Sequence, residues 1–109
     1  MHKKITFRGM DSSPVIEEHV NKLIDKIFEL LTKQSSPIYV DLILEASKNH
    51  AHNRAELMLK TPLLDLVSKY EGTDLYDVIN RVFHVMLLEI KKHKGIEMDK
   101  HRLNNKRIM

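Results

Sequence analysis

Ile38-Tyr39-Val40-Asp41-Leu42-Ile43-Leu44-Glu45-Ala46 alternates, with Ile38, Val40, Leu42 and Leu44 pointing one way and the residues between them the other. A period of two over nine residues predicts a strand that buries one face. Ser47-Lys48-Asn49-His50 supplies a polar turn, after which Ala55, Leu57 and Leu59 alternate with Arg54, Glu56, Met58 and Lys60. Two alternating runs joined by a short polar stretch predict a hairpin. Thr61-Pro62 breaks the second run, and Leu63 to Tyr70 reads as a less regular fourth strand with Leu64 and Leu66 inward. Working back from the hairpin, Gln34-Ser35-Ser36-Pro37 closes a helix whose Ile16, Val20, Leu23, Ile24, Ile27 and Leu31 fall within one apolar arc at about 100° per residue. Ser13-Pro14 opens it, the serine as N-cap and the proline where no amide partner is needed. Before it, residues 3–9 alternate around Ile5 and Phe7 and end at Gly9, which predicts a first strand. After the fourth strand, Thr73 is the expected N-cap of a second helix. Its buried stripe is Leu75, Ile79, Val82, Phe83, Met86 and Ile90, and Gly95 is a natural stop.

The order is β-α-β-β-β-α. One apolar stripe per helix against one apolar face per strand predicts a two-layer α+β fold, with both helices covering one face of a four-stranded sheet. Residues 1–95 form the expected single domain, and residues 96–109 a basic, flexible tail. At 109 residues, 42% hydrophobic and 30% charged, the chain has the composition of an ordinary globular protein. It has no cysteine, which excludes disulfides and thiolate metal sites, and the charged N-terminal segment reads as neither signal peptide nor membrane span. A cytoplasmic location is expected.

The net charge of +3 is modest, so its distribution decides what it means. From Lys91 to Met109, seven cations face only Glu97 and Asp99, which makes that segment +5 and leaves about -2 for the rest. A positive end suits a polyanion partner. On the first helix His19, Lys22, Lys26 and Lys33 project within about 60° of one another beside the apolar arc. Glu18, Asp25 and Glu29 on the adjoining face allow the plainer reading of a solvated helix laced with charge pairs. Arg81, His84, Lys91 and Lys92 lie on the outward side of the second helix, so two adjacent helices would make a positive ridge suited to phosphates.

The segment Asp74-Leu75-Tyr76-Asp77-Val78-Ile79-Asn80, followed at helical spacing by Leu87-Leu88-Glu89-Ile90-Lys91-Lys92-His93-Lys94, resembles the second helix of the ribosome hibernation-promoting factor family, also called ribosome-associated protein Y or the sigma-54 modulation protein family. Arg8-Gly9 after a short strand, a Lys-Ile-Phe stretch near the end of the first helix, Val40-Asp41-Leu42 and Ala55-Glu56-Leu57 extend the resemblance over roughly residues 3 to 95. It implies a fold similar to double-stranded RNA-binding domains and binding to the rRNA of the small ribosomal subunit in the decoding region. Translation by idle ribosomes would then be inhibited reversibly, by occupancy. The long members of the family carry a further dimerisation domain, and this chain looks like the short type, a monomer when free. Where the family usually places lysine or arginine on the outer face of the second helix, Val85 and Leu88 stand here. The expected RNA contacts are therefore Lys22, Lys26, Arg81, Lys91, Lys92 and Lys94.

Other chemistry is poorly supported by the sequence. His50 and His52 could share a strand face, but a third metal ligand is not apparent. Ser12, Ser13, Ser47 and Ser68 lie in no nucleophile-elbow context, and there is no glycine-rich phosphate loop, so neither an enzyme nor a cofactor is expected. Neither a small-molecule substrate nor a membrane is expected as partner. Tyr70 and Tyr76 have rings that could stack on bases, but a tyrosine in the first turn of a packed helix is expected in the core. Two rival functions share the fold. A general structured-RNA-binding module would bind free duplex RNA as tightly as ribosomes, and a protein-interaction adaptor would use the exposed sheet face or the Val85 and Leu88 patch and be indifferent to charge reversal at Lys22 and Lys26.

Overall fold

The computed structural model describes residues 1–32, 37–47 and 51–108, with side chains up to residue 93. Its elements are β1 (His2–Arg8), α1 (Pro14–Leu30), β2 (Tyr39–Ala46), β3 (Asn53–Lys60), β4 (Asp65–Gly72) and α2 (Leu75–Ile108). The strands lie in the order β1-β2-β3-β4. β1 and β2 are parallel, as the intervening α1 crossover requires, and the other two pairs are antiparallel.

Register aligns the inward residues in rows across the sheet. Phe7, Leu44, Ala55 and Tyr70 form one row, and Ile5, Leu42, Leu57 and Ser68 form the next. Ile16, Val20, Ile24 and Ile27 of α1 and Val78, Ile79, Val82, Phe83, Met86 and Ile90 of α2 join Leu42, Leu44, Ala55 and Leu57 of these rows in a single buried cluster, with Ile5, Phe7 and Tyr70 packed against it. Both helices therefore cover one sheet face, as expected, and the other face is left open. Each fully buried aliphatic or aromatic side chain contributes on the order of 2 kcal/mol, so this cluster dominates the stability.

Several local expectations are corrected. The central inward residue of β4 is Ser68, while Leu64 is buried just before the strand and Leu66 only partly. The Ser68 hydroxyl donates to the Val82 carbonyl oxygen at 2.9 Å, which satisfies a buried polar group and ties α2 to β4. Val78, outside the expected stripe, is fully buried. α1 begins as predicted, with the Ser13 hydroxyl accepting from the Ile16 amide, but ends at Leu30 rather than at the Gln34–Pro37 stretch. Gly95 does not stop α2, whose backbone runs on to Ile108. One glycine costs a helix only about 1 kcal/mol, and Glu97, Met98, Lys100, Arg102 and Leu103 beyond it are good helix formers with no proline among them.

The N-cap of α2 is Asp74, not Thr73. The Asp74 Oδ1 accepts from the amides of Tyr76 at 3.0 Å and Asp77 at 3.3 Å, and its charge suits the helix N-terminus. Thr73 contributes only its backbone carbonyl, which accepts from the Asn53 side chain. Asp74→Ala is expected to lose about 1 kcal/mol in urea unfolding, and Thr73→Ala to lose much less. Equal losses would put the cap back on Thr73.

Candidate nucleic-acid interface

The two helices meet along a groove lined by Lys26, Glu29 and Leu30 of α1 and Leu87 and Lys91 of α2. Leu30 and Leu87, each half-buried against the core, form its floor. Lys26 and Lys91 are exposed on its walls, so two cations from elements 65 positions apart in the chain face one channel with a single carboxylate, Glu29, between them. Lys22, one turn before Lys26, is exposed and sits 3.8 Å from Glu18. An exposed i,i+4 pair of this kind contributes little and is screened by salt, so Lys22 can exchange Glu18 for a phosphate at low cost.

Nearer the start of both helices, the His19 Nε2 lies 2.8 Å from the Asn80 Oδ1, and the Tyr76 ring meets the His19 ring edge-on at 5.6 Å. This contact links residues 61 positions apart and fixes the helices side by side at that end. Tyr76 is 43% exposed, against the expectation that it would be core. It stands at the margin of the buried stripe, against the His19 ring. Tyr70 is partly buried against the core.

The six expected contact residues fall into two rows. At about 100° per residue, Lys91 shares a helical face with Asn80 and the groove, while Lys92 is turned about 100° away and shares a row with Arg81. That second row faces β4. The Arg81 guanidinium lies 5.6 Å from the centroid of the Tyr70 ring, and its Nε donates to the Asp77 carboxylate at 3.1 Å. The hydrogen bond to Asp77, reinforced by that group's charge, raises the Arg81 pKa above its ordinary value, so it stays cationic throughout. The structure thus brings Lys22, Lys26 and Lys91 to one side and sets Arg81 and Lys92 on the other flank of α2. The side chain of Lys94 and all of Lys33 lie outside the described residues, as does His50. His52 pairs with Glu71 at 3.4 Å.

Between the two rows, on the crest of α2, Leu88 is 54% exposed, and Val85, just beyond the Arg81 row, is 38% exposed. The sequence also gave no sign of Asn80 as the partner of His19, or of Leu30 and Leu87 as a groove floor. These roles depend on which helix faces are adjacent. No helix among the described residues is long and apolar enough to cross a membrane.

Residues 4–96 match the model of the family described as Sigma 54 modulation protein / S30EA ribosomal protein. The chain is 25% identical over 105 residues to the ribosome hibernation promoting factor of Acinetobacter guillouiae, an alignment covering 88% of this chain and 91% of that one. The fold is similar to the N-terminal domain of Protein Y from Thermus thermophilus, with a TM-score of 0.69 at 21% identity over 83% of this chain and 94% of that domain. It is also similar to a ribosomal subunit interface protein from Coxiella burnetii, with a TM-score of 0.66 at 21% identity over 87% of this chain and 99% of that one.

Proposed function

Since this chain belongs to the Sigma 54 modulation protein / S30EA ribosomal protein family, we propose that it is a non-enzymatic ribosome hibernation factor that binds the rRNA of the small subunit in the decoding region and reversibly inhibits translation of idle ribosomes in the cytoplasm. The observation that carries the reading is the groove between α1 and α2, where Lys26 and Lys91 face the same channel from two helices. A phosphate backbone entering it meets a cation on each wall, with Lys22 one turn further along α1. Arg81, Lys92 and Lys94 take phosphates on the rest of α2. Lysine acts there as a point charge, and arginine offers a planar fork that can hold a phosphate bidentately. Contacts of this kind read backbone shape more than base sequence, which suits a folded RNA. The unit that binds is residues 1–95, acting as a monomer.

Each neutralised phosphate releases condensed counterions, so affinity falls steeply with salt. With six contacts, raising salt from about 50 to about 200 mM should weaken binding on the order of 1,000-fold. Co-sedimentation with vacant small subunits tests this. The protein is expected to travel with the subunit at the lower salt and to remain at the top of the gradient at the higher. Remaining at the top in both would refute the proposal, and equal affinity for free duplex RNA would reduce it to a general RNA-binding module.

A further inference from the structure

The sheet face opposite the helices is open across all four strands, and its two ends differ. At one end the register places Arg8, Glu45, Arg54 and Glu71 in a row of alternating charge. These charges answer one another: the Arg54 Nε lies 3.5 Å from Glu71, and in the next row Lys69 lies 3.9 Å from Glu56. A concavity of about 340 Å³ is lined by this end, and its balanced charge gives a polyanion no hold.

The other end is the row His2, Tyr39, Lys60, Asp65. The His2 and Tyr39 rings are stacked across β1 and β2, with centroids 4.9 Å apart and planes 16° from parallel. Tyr39 is 47% exposed, so much of its surface is open to solvent. Lys60 stands directly across from Tyr39 on β3, and Lys4 follows His2 by two residues on the same face. Asp65 and Asp41 are the acids of these rows, yet no ion pair involves Lys4 or Lys60 among the described residues. An exposed aromatic pair is thus held rigidly by the strand register, with two uncommitted cations beside it.

We propose that this end of the open face stacks an unpaired base of single-stranded RNA on the Tyr39 and His2 rings, with Lys60 and Lys4 taking the adjoining phosphates. Every base has a π-face, so stacking of this kind tolerates any sequence, and the neighbouring cations hold the backbone. The site lies on the opposite side of the domain from the helix groove and shares no residue with it. One molecule therefore binds folded RNA on its helices and an unpaired strand on its sheet.

The test is fluorescence anisotropy with a labelled oligoadenylate of about six nucleotides, a length within the span of one such site. Wild-type protein is expected to bind, Tyr39→Ala to bind roughly tenfold or more weakly, and Lys60→Glu to weaken binding as well. Tyr39→Phe keeps the stack and is expected to retain the affinity, which controls for folding. Lys26→Glu with Lys91→Glu is expected to leave it unchanged. Absence of binding by the wild type, undiminished binding by Tyr39→Ala, or loss in the helix variant alone would each overturn the inference. Absence of binding by the wild type or undiminished binding by Tyr39→Ala leaves the helix-groove reading standing, since Tyr39 does not line it, while loss in the helix variant alone would place the single strand in that groove instead.

Discussion

The double variant Lys26→Glu, Lys91→Glu is expected to lose about 100-fold in affinity for the small ribosomal subunit and about two units of salt slope, while unfolding at the wild-type urea midpoint. The two side chains are exposed and belong to no ion pair among the described residues, so reversing them breaks nothing that holds the fold. They line one groove from two helices, so each reversal removes an attraction and places a carboxylate beside Glu29 where a phosphate would lie. Arg81→Ala is the informative companion. Arg81 is already engaged by Asp77 and sits on the β4 flank of α2, so its loss should cost less than that of Lys26 or Lys91. Equilibrium binding by filter retention at two salt concentrations measures both. A double variant within about threefold of wild type, less than 1 kcal/mol, would remove the groove from the interface.

Gly9→Ala is expected to destabilise the protein by about 3 kcal/mol, a large share of the total for a domain of this size. Among the described residues Gly9 is the one with positive φ, at 67°, in the turn between β1 and α1. A side chain there costs roughly 1–2 kcal/mol in backbone strain alone. A Cβ would also run into the Ala46 carbonyl oxygen at the end of β2, a backbone atom that can yield only if the two strands part. β1 and β2 are parallel neighbours joined through α1, so the turn at Gly9 sets where α1 starts over the sheet. The same substitution should therefore weaken subunit binding even under conditions where the variant remains folded, because Lys22 and Lys26 ride on α1. Urea denaturation checks the first effect, and a loss below about 1 kcal/mol would mean that the turn relaxes without disturbing the strands.

The strands and helix faces were legible because their burial is periodic. Val40, Leu42 and Leu44 and their partners Leu59, Leu57 and Ala55 alternate cleanly, and all six are buried. The fourth strand was harder because its central inward residue is Ser68, which is polar by sequence but satisfied by a carbonyl 14 residues away. Gly95 does not mark the end of α2, because a glycine is a weak stop where the residues beyond it favour helix. The cap is ambiguous by one residue in the sequence, because Thr73 and Asp74 are both good caps and only backbone geometry chooses between them.

The site was legible as residue types but not as an arrangement. Lys22 and Lys26 share a stripe by spacing alone, and Lys91 and Lys92 are visibly basic. That Lys91 faces the groove while Lys92 joins Arg81 on the far flank follows from how α2 is rotated against α1, and that rotation is fixed by contacts such as His19 with Asn80. No local pattern encodes a pairing across 61 positions. The sequence predicts the cations, and the packing of the helices decides which of them can act together.

Hydroxyl-radical footprinting of small-subunit rRNA with and without the bound protein tests the central claim most directly. Protection of backbone riboses confined to the decoding region, and lost with the Lys26→Glu, Lys91→Glu variant, is the predicted result. Protection elsewhere on the subunit, or a footprint that the double variant reproduces unchanged, would contradict it.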